Sequence, residues 1–236
     1  MRRLTRFSLA CACAGFAASA FAAADRGSIR VTVDGLTDGK PIPATHALCT
    51  PTADGKSDKV ATPLRPTLTW SGVPKDAATL AIFMMDPDVP ADFTDAGKEG
   101  KTLPEDSKRQ DFFHYGLVNL PASVTSLSGA ESRDTPRPGT ELVNDLGING
   151  YISPETAYGG PCPPWNDERL HHYHFIVLAL DKNAPIDAPS EADCNAPACR
   201  ADTAKNTFNR LIGSPHVLAK GVAIGTYTLN KELLGK

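Results

Sequence analysis

Three places along the chain carry side chains able to do chemistry: Asp86 with Asp88, His114, and the run His171, His172 and His174. The last is the densest. It follows Gly160-Pro161-Cys162-Pro163-Pro164-Trp165, where proline fixes φ at about −65° and removes backbone donors, so the loop is stiff. Asp86 and Asp88 follow an apolar run, 80–85, and a carboxylate beside a buried strand must be paired or hydrogen-bonded. The plain alternative is turn chemistry, since Asp-Pro opens turns for local reasons. His114 lies in Phe112-Phe113-His114-Tyr115, and its plain alternative is a satisfied core histidine.

Three assemblies could use these groups. A metal centre takes two or three imidazoles and a carboxylate, but alternation puts His171 on one face of a strand and His172 and His174 on the other. One strand cannot supply all three. A hydrolase needs a nucleophile beside its base, and the chain has no G-x-S-x-G turn. An anion pocket would use imidazole N–H groups and the backbone amides of Gly159-Gly160, with Asp86 orienting a histidine from behind. That assembly uses every group and calls for no metal or cofactor.

The elements that must position these residues are mostly strands. The run His171–Leu180 alternates, yet both faces are largely apolar, which predicts a central, buried strand. Further strands are expected over 29–33, 67–70, 79–85, 112–120 and 222–229, the middle three stopped by proline or glycine signals. One helix is expected over 198–212, entered at Pro197 and left at Gly213. The pattern is that of an all-β sandwich with a small helical appendage near the C-terminus. Two polar stretches, 91–111 and 132–158, are too long for simple connections and read as borders of the pocket.

With 236 residues and 41% apolar composition, the chain is long enough for one packed domain, expected over 25–236. Residues 1–24 read as a secretory signal peptide: Arg2, Arg3 and Arg6, then a short apolar run, then cleavage sites after Ala22 or Ala24. The run is too short for a membrane span, and Ser8 stands three residues before Cys11, where a lipoprotein signal has leucine. Cleavage there removes three arginines and no acid, taking the net charge from −3 to −6. No basic cluster survives, which argues against nucleic acid as a partner. Export, periplasmic or secreted, also favours disulfides. Cys194 and Cys199 flank a short loop, leaving Cys49 to pair with Cys162; zinc is the rival reading, weak for a lone C-x4-C.

At this point the chain resembles the phosphatidylethanolamine-binding protein family, also called the Raf kinase inhibitor protein family, in its bacterial branch. The ordered motifs are Leu68-Thr69-Trp70-Ser71-Gly72-Val73-Pro74, Asp86-Pro87-Asp88-Val89-Pro90, His114-Tyr115 with Asn119-Leu120-Pro121, Gly160-Pro161-Cys162-Pro163-Pro164 with His171-His172-Tyr173, and His216-Val217-Leu218 with Gly225-Thr226-Tyr227. They span about 28–230. The resemblance implies a β-sandwich of two antiparallel sheets and a pocket for phosphate, phosphorylethanolamine or a similar anion. Carried over, the ligand-binding residues are Asp86, His114, Pro164, His171 and Tyr227, with Asp88, Pro90, Phe112 and Trp165 at the rim. His172 stands where the family has arginine, leaving open the ion pair made there. The implied function is an exported binding protein for a small anion or phospholipid headgroup, able to modulate a partner such as a protease. The alternative is a hydrolase using Asp86, His114 and His171 on a phosphate ester.

Overall fold

A computed structural model describes residues 27–59, 63–129, 138–152, 158–184 and 203–234. The signal-like segment and the Cys194–Cys199 pair lie outside the described residues, as do positions 198–202 of the expected helix. In chain order the strands are β1 (Gly27–Ser28), β2 (Arg30–Val33), β3 (Lys40–Pro41), β4 (Cys49–Pro51), β5 (Ser57–Lys59), β6 (Leu68–Ser71), β7 (Thr79–Pro90), β8 (Arg109–Pro121), β9 (Ser126–Leu127), β10 (Thr140–Glu141), β11 (His171–Leu180) and β12 (Val217–Tyr227). Helix α1 (Asp145–Ile148) precedes β11, and α2 (Ala204–Ile212) precedes β12.

A large sheet runs in the order β1-β12-β11-β7-β8-β10, with β3 also on β12. A small sheet, β2-β6-β9, covers its inner face, and β4 and β5 form a separate hairpin. The long strands pair antiparallel, while β1 and β3 join β12 in parallel, so the large sheet is mixed at one edge. β11 is central, between β12 and β7, as its two apolar faces require. Its inner residues Tyr173, Phe175, Val177 and Ala179 join Leu80, Ile82 and Met84 of β7 and Trp70 of β6 in the main core.

The outer face carries a second core, where Phe83, Phe113, Ile176 and Leu178 meet α2. α2 buries Ala204, Thr207, Phe208 and Leu211, the i, i+3, i+4, i+7 stripe of an amphipathic helix. Thr203 caps it, its side chain accepting from the Asn206 amide. Gly116 of β8 lets the helix approach: a Cβ there would lie 2.8 Å from that of Ala204. Phe83 meets Phe113 and Phe208 edge-on, with ring centres 6.2 and 5.2 Å away.

Two irregularities matter for function. Met84 faces Tyr115 while Met85 faces Phe113, so His114 is the extra residue of a β-bulge. His114 then shares the inner side with its neighbour Tyr115, which plain alternation forbids. The second lies on β7, where Asp86 faces Phe112 and Val89 faces Gln110, three steps against two. The strand does not stop at Asp86, as proline there suggests, but continues to Pro90. It can because β11 pairs only as far as Met85; beyond that no described strand pairs with this edge of β7, and proline is tolerated there.

Truncating Phe83→Ala empties the centre of the outer core and is expected to cost about 3–5 kcal/mol, read as a lower urea midpoint at unchanged slope.

Candidate ligand-binding site

The strand ends bring the carboxylate, the bulge histidine and the histidine-rich strand together at one end of the sandwich. Asp86 and His114 line a cavity of about 400 Å³, with Phe112, Tyr173, Pro164 and Trp165 among its walls. That volume is within the range of small-molecule sites. Segment 91–111 contributes Phe93, Ala96 and Gly97, and segment 132–158 contributes Leu146 and Tyr151; both polar excursions border the pocket. Cys49 and Cys162 are joined in a disulfide, with Cα atoms 4.8 Å apart, and line the same cavity. The bond ties the β4–β5 hairpin to the proline loop. The Leu48 and Cys49 amides both donate to the Pro161 carbonyl, at 2.9 and 3.2 Å. This approach needs Gly160, whose Cβ would fall 2.1 Å from the His46 oxygen.

Behind the cavity wall runs a chain of buried charge. His171 Nδ1 donates to Asp86 Oδ2 at 2.7 Å, and its Nε2 donates to Asp167 Oδ2 at 3.1 Å. Arg109 closes the chain with a two-pronged contact to Asp167, at 2.6 and 3.0 Å. Burial opposes charge on His171, but the two carboxylates outweigh it and hold the imidazolium up to a pKa of about 9. Burial likewise opposes the Asp167 carboxylate, and His171 and Arg109 bring it below the usual range. Asp86 Oδ1 also accepts from the Asp88 amide at 2.8 Å. Asp88 in turn accepts from Arg169 Nε at 2.6 Å and from His172 Nδ1 at 2.8 Å. At position 172 the contact is a hydrogen bond from His172 to Asp88, and the ion pair to that carboxylate is made by Arg169.

His114 is different. Its Nδ1 donates to the Gly159 carbonyl at 3.0 Å, while the Gly159 amide returns a bond to the His114 carbonyl, also at 3.0 Å. Nε2 is buried and has no partner in the described structure. Burial pushes its pKa below the usual value, so near neutral pH the ring is uncharged and Nε2 presents a lone pair. The buried Tyr173 hydroxyl makes no hydrogen bond of normal geometry either, although it is turned toward the Asp86 carboxylate. Burial and the Asp86 carboxylate push its pKa well up, keeping the O–H a donor.

The expected residues therefore divide. Asp86, His114 and Pro164 reach the cavity, as do Phe112 and Trp165 of the expected rim. His171 is fully buried, and it braces Asp86 from behind rather than being braced by it. Tyr227 directs its hydroxyl to the Cys49 carbonyl at 2.8 Å, fixing the hairpin. Asp88 and the Pro90 carbonyl serve the wall: the first holds Arg169 and His172, the second accepts from Gln110 at 3.0 Å. Sequence reasoning missed Tyr173, although it stands two residues from His171 and thus on the same face. It also missed Asp167, Arg109 and Arg169, charged loop or strand-end residues with no periodic signal. His172 and His174 take the other face of β11. Among the described residues no group of three or more His, Cys, Asp or Glu could hold a metal ion, and no helix is long and apolar enough to cross a membrane.

A folded-state pKa of about 9 for His171, against about 6.5 unfolded, sets a pH dependence. The folded state holds the extra proton, so this stabilisation is complete below pH 6.5 and is lost as pH rises through 9. Urea midpoints should fall across that window. His171→Ala should abolish the slope and cost about 3–5 kcal/mol, because it leaves the buried Asp86 carboxylate without its cation.

Comparisons with known proteins identify the family and the fold. The family model for phosphatidylethanolamine-binding protein matches residues 32–228. The UPF0098 protein YbcL of Escherichia coli K12 is 31% identical over 169 residues, which cover 71% of this chain and 77% of YbcL. A UPF0098 protein of Chlamydia muridarum is 26% identical over 199 residues, 84% of this chain and 98% of its own. Among solved structures, E. coli YbcL, described as a new member of the mammalian PEBP family, has a TM-score of 0.56 at 23% identity, covering 85% of this chain and 98% of that one. The PEBP homolog CT736 of Chlamydia trachomatis has a TM-score of 0.53 at 22% identity, covering 85% and 97%. These structures share the fold. The match of the family model across nearly all of the described domain establishes that this chain belongs to the phosphatidylethanolamine-binding protein family.

Proposed function

We propose that the chain is an exported binding protein of this family whose cavity holds a small phosphate-type anion, such as phosphate or phosphorylethanolamine, with no catalytic step. The observation that carries this reading is the pair of buried groups without a hydrogen bond of normal geometry, His114 Nε2 and the Tyr173 hydroxyl, in the same cavity as the Asp86 carboxylate. A buried polar group without a partner costs free energy, and a ligand that satisfies two of them at once recovers it. The signal-like segment 1–24 and the Cys49–Cys162 disulfide support export.

Control of a partner protein, such as a secreted protease, would run through the cavity mouth, where Phe93 and Tyr151 stand 45% and 53% exposed. The hydrolase alternative gains nothing from the geometry, since both nitrogens of His171 are engaged with carboxylates.

Phosphate or phosphorylethanolamine at 100-fold above its dissociation constant should stabilise the protein by about 2.7 kcal/mol, seen as a raised Tm that a chelator leaves unchanged. His114→Ala and Tyr173→Phe should each remove most of that increment while the unliganded protein still melts cooperatively. An equal increment in both variants would contradict the assignment.

A further inference from the structure

The cavity leaves part of the histidine-rich strand unused. His172 and His174 take the outer face of β11, in line with Ile176 and Leu178 of the outer core. Their Cα atoms are about 7 Å apart, two steps along one strand. The His172 side chain is 44% exposed, so this end of the face is open to solvent. The register sets a third side chain beside them. His174 pairs with Met85 of β7, and Met85 lies on the same outer side, partly buried against the outer core. Directly opposed residues of an antiparallel pair have Cβ atoms about 5 Å apart, and diagonal ones about 7–8 Å. Two imidazoles and a thioether therefore share one small patch.

The hydrogen bonds leave these groups ready to act as ligands. His172 Nδ1 donates to Asp88 Oδ2 at 2.8 Å, and the His172 amide donates to the same oxygen at 2.9 Å. In the neutral ring this puts the lone pair on Nε2. A carboxylate that takes the other N–H is the usual support of a metal-bound imidazole, because it fixes the tautomer and the direction of the ring. Arg169 holds Asp88 in turn, so the support is itself braced. Among the described residues the His174 ring has no hydrogen-bond partner. Burial, and then the ring of His172, push its pKa below the usual value, so near neutral pH it is uncharged. The Asp88, Asp86 and Asp111 carboxylates oppose that shift, and their negative potential favours a cation on the patch.

We infer that this patch is a copper site, in which His172 Nε2, a ring nitrogen of His174 and the Met85 sulfur hold a Cu(I) ion. Imidazole suits zinc, copper and nickel alike, but a thioether is a soft donor and selects Cu(I). The site lies on the face of the large sheet away from the phosphate-type cavity and does not rest on that reading. It occupies the position where the family resemblance places an arginine, a side chain with no lone pair to offer a metal. The sulfurs of Cys49 and Cys162 are bonded to each other and supply no competing thiolate.

Anaerobic titration of the untagged chain with Cu(I) against the dye ferrozine tests this, with free thiols alkylated beforehand so that none competes. The chain should draw a stoichiometric amount of Cu(I) from the dye. Loss of a carboxylate that supports a metal-bound imidazole costs about 10–100-fold in affinity, and loss of a ligand costs at least as much. His174→Ala should therefore weaken Cu(I) binding by at least about 100-fold. Met85→Leu keeps the side-chain volume; it should weaken Cu(I) by at least about tenfold and leave zinc affinity unchanged. Both variants should melt as cooperatively as the parent. Cu(I) is diamagnetic, so NMR should show His172 Nε2, a His174 nitrogen and the Met85 methyl moving together, with His171 and His114 unmoved. Cu(I) that stays with the dye would overturn the inference. So would uptake undiminished in either variant, or zinc bound as tightly as Cu(I).

Discussion

His171 is held between two carboxylates, Asp86 on the cavity side and Asp167 on the other, with Arg109 closing the far end. Burying an imidazolium is expensive, and two flanking acceptors at hydrogen-bond distance are what make it tolerable. In return the cation fixes Asp86 in place and engages one of its oxygens. The Asp88 amide takes the other, so the carboxylate that faces the cavity cannot turn. Every statement about the cavity depends on that arrangement. Without the cation behind it, Asp86 would be an uncompensated buried charge at the floor of an apolar cavity.

The remaining structure serves to bring these groups within reach. β11 is central, so its first residues sit at the end of the sandwich with neighbours on both sides. The bulge at His114 turns an otherwise ordinary strand residue toward Tyr173, their ring centres 5.2 Å apart. The second bulge, at Pro87-Asp88, lets β7 run past its pairing with β11 and deliver both aspartates. On the open side the disulfide and the Pro161 carbonyl hold the β4–β5 hairpin against the proline loop. A cavity bounded by such stiff elements is largely preformed, which lowers the ordering cost of binding.

Much of this was legible in the sequence, and the reasons for the rest are physical. The extent of β11 followed from its apolar run, because a strand buried on both faces leaves an unbroken hydrophobic stretch. Charge and imidazole beside apolar strands singled out Asp86 and His114, and the fold places both at one cavity. Bulges leave no mark on alternation, so the shared face of His114 and Tyr115 was hidden. Pro87 and Pro90 read as the end of a strand because a sequence does not say where the partner strand stops. Asp167-Glu168-Arg169 looks like a solvated loop. Only the fold reveals that Asp167 lies 1% exposed, beneath His171. Tyr173 was within reach of sequence reasoning, and the period of two from His171 was the signal.

The account turns on which imidazole is the buried cation and which is the open acceptor. Nitrogen NMR of the side chains of His171 and His114 at neutral pH reads this directly. The structure predicts both nitrogens of His171 protonated, His114 neutral with its proton on Nδ1, and only the His114 resonances moving strongly when phosphate is added. A neutral His171, or a His171 whose nitrogens respond to the ligand as a direct contact would, contradicts it.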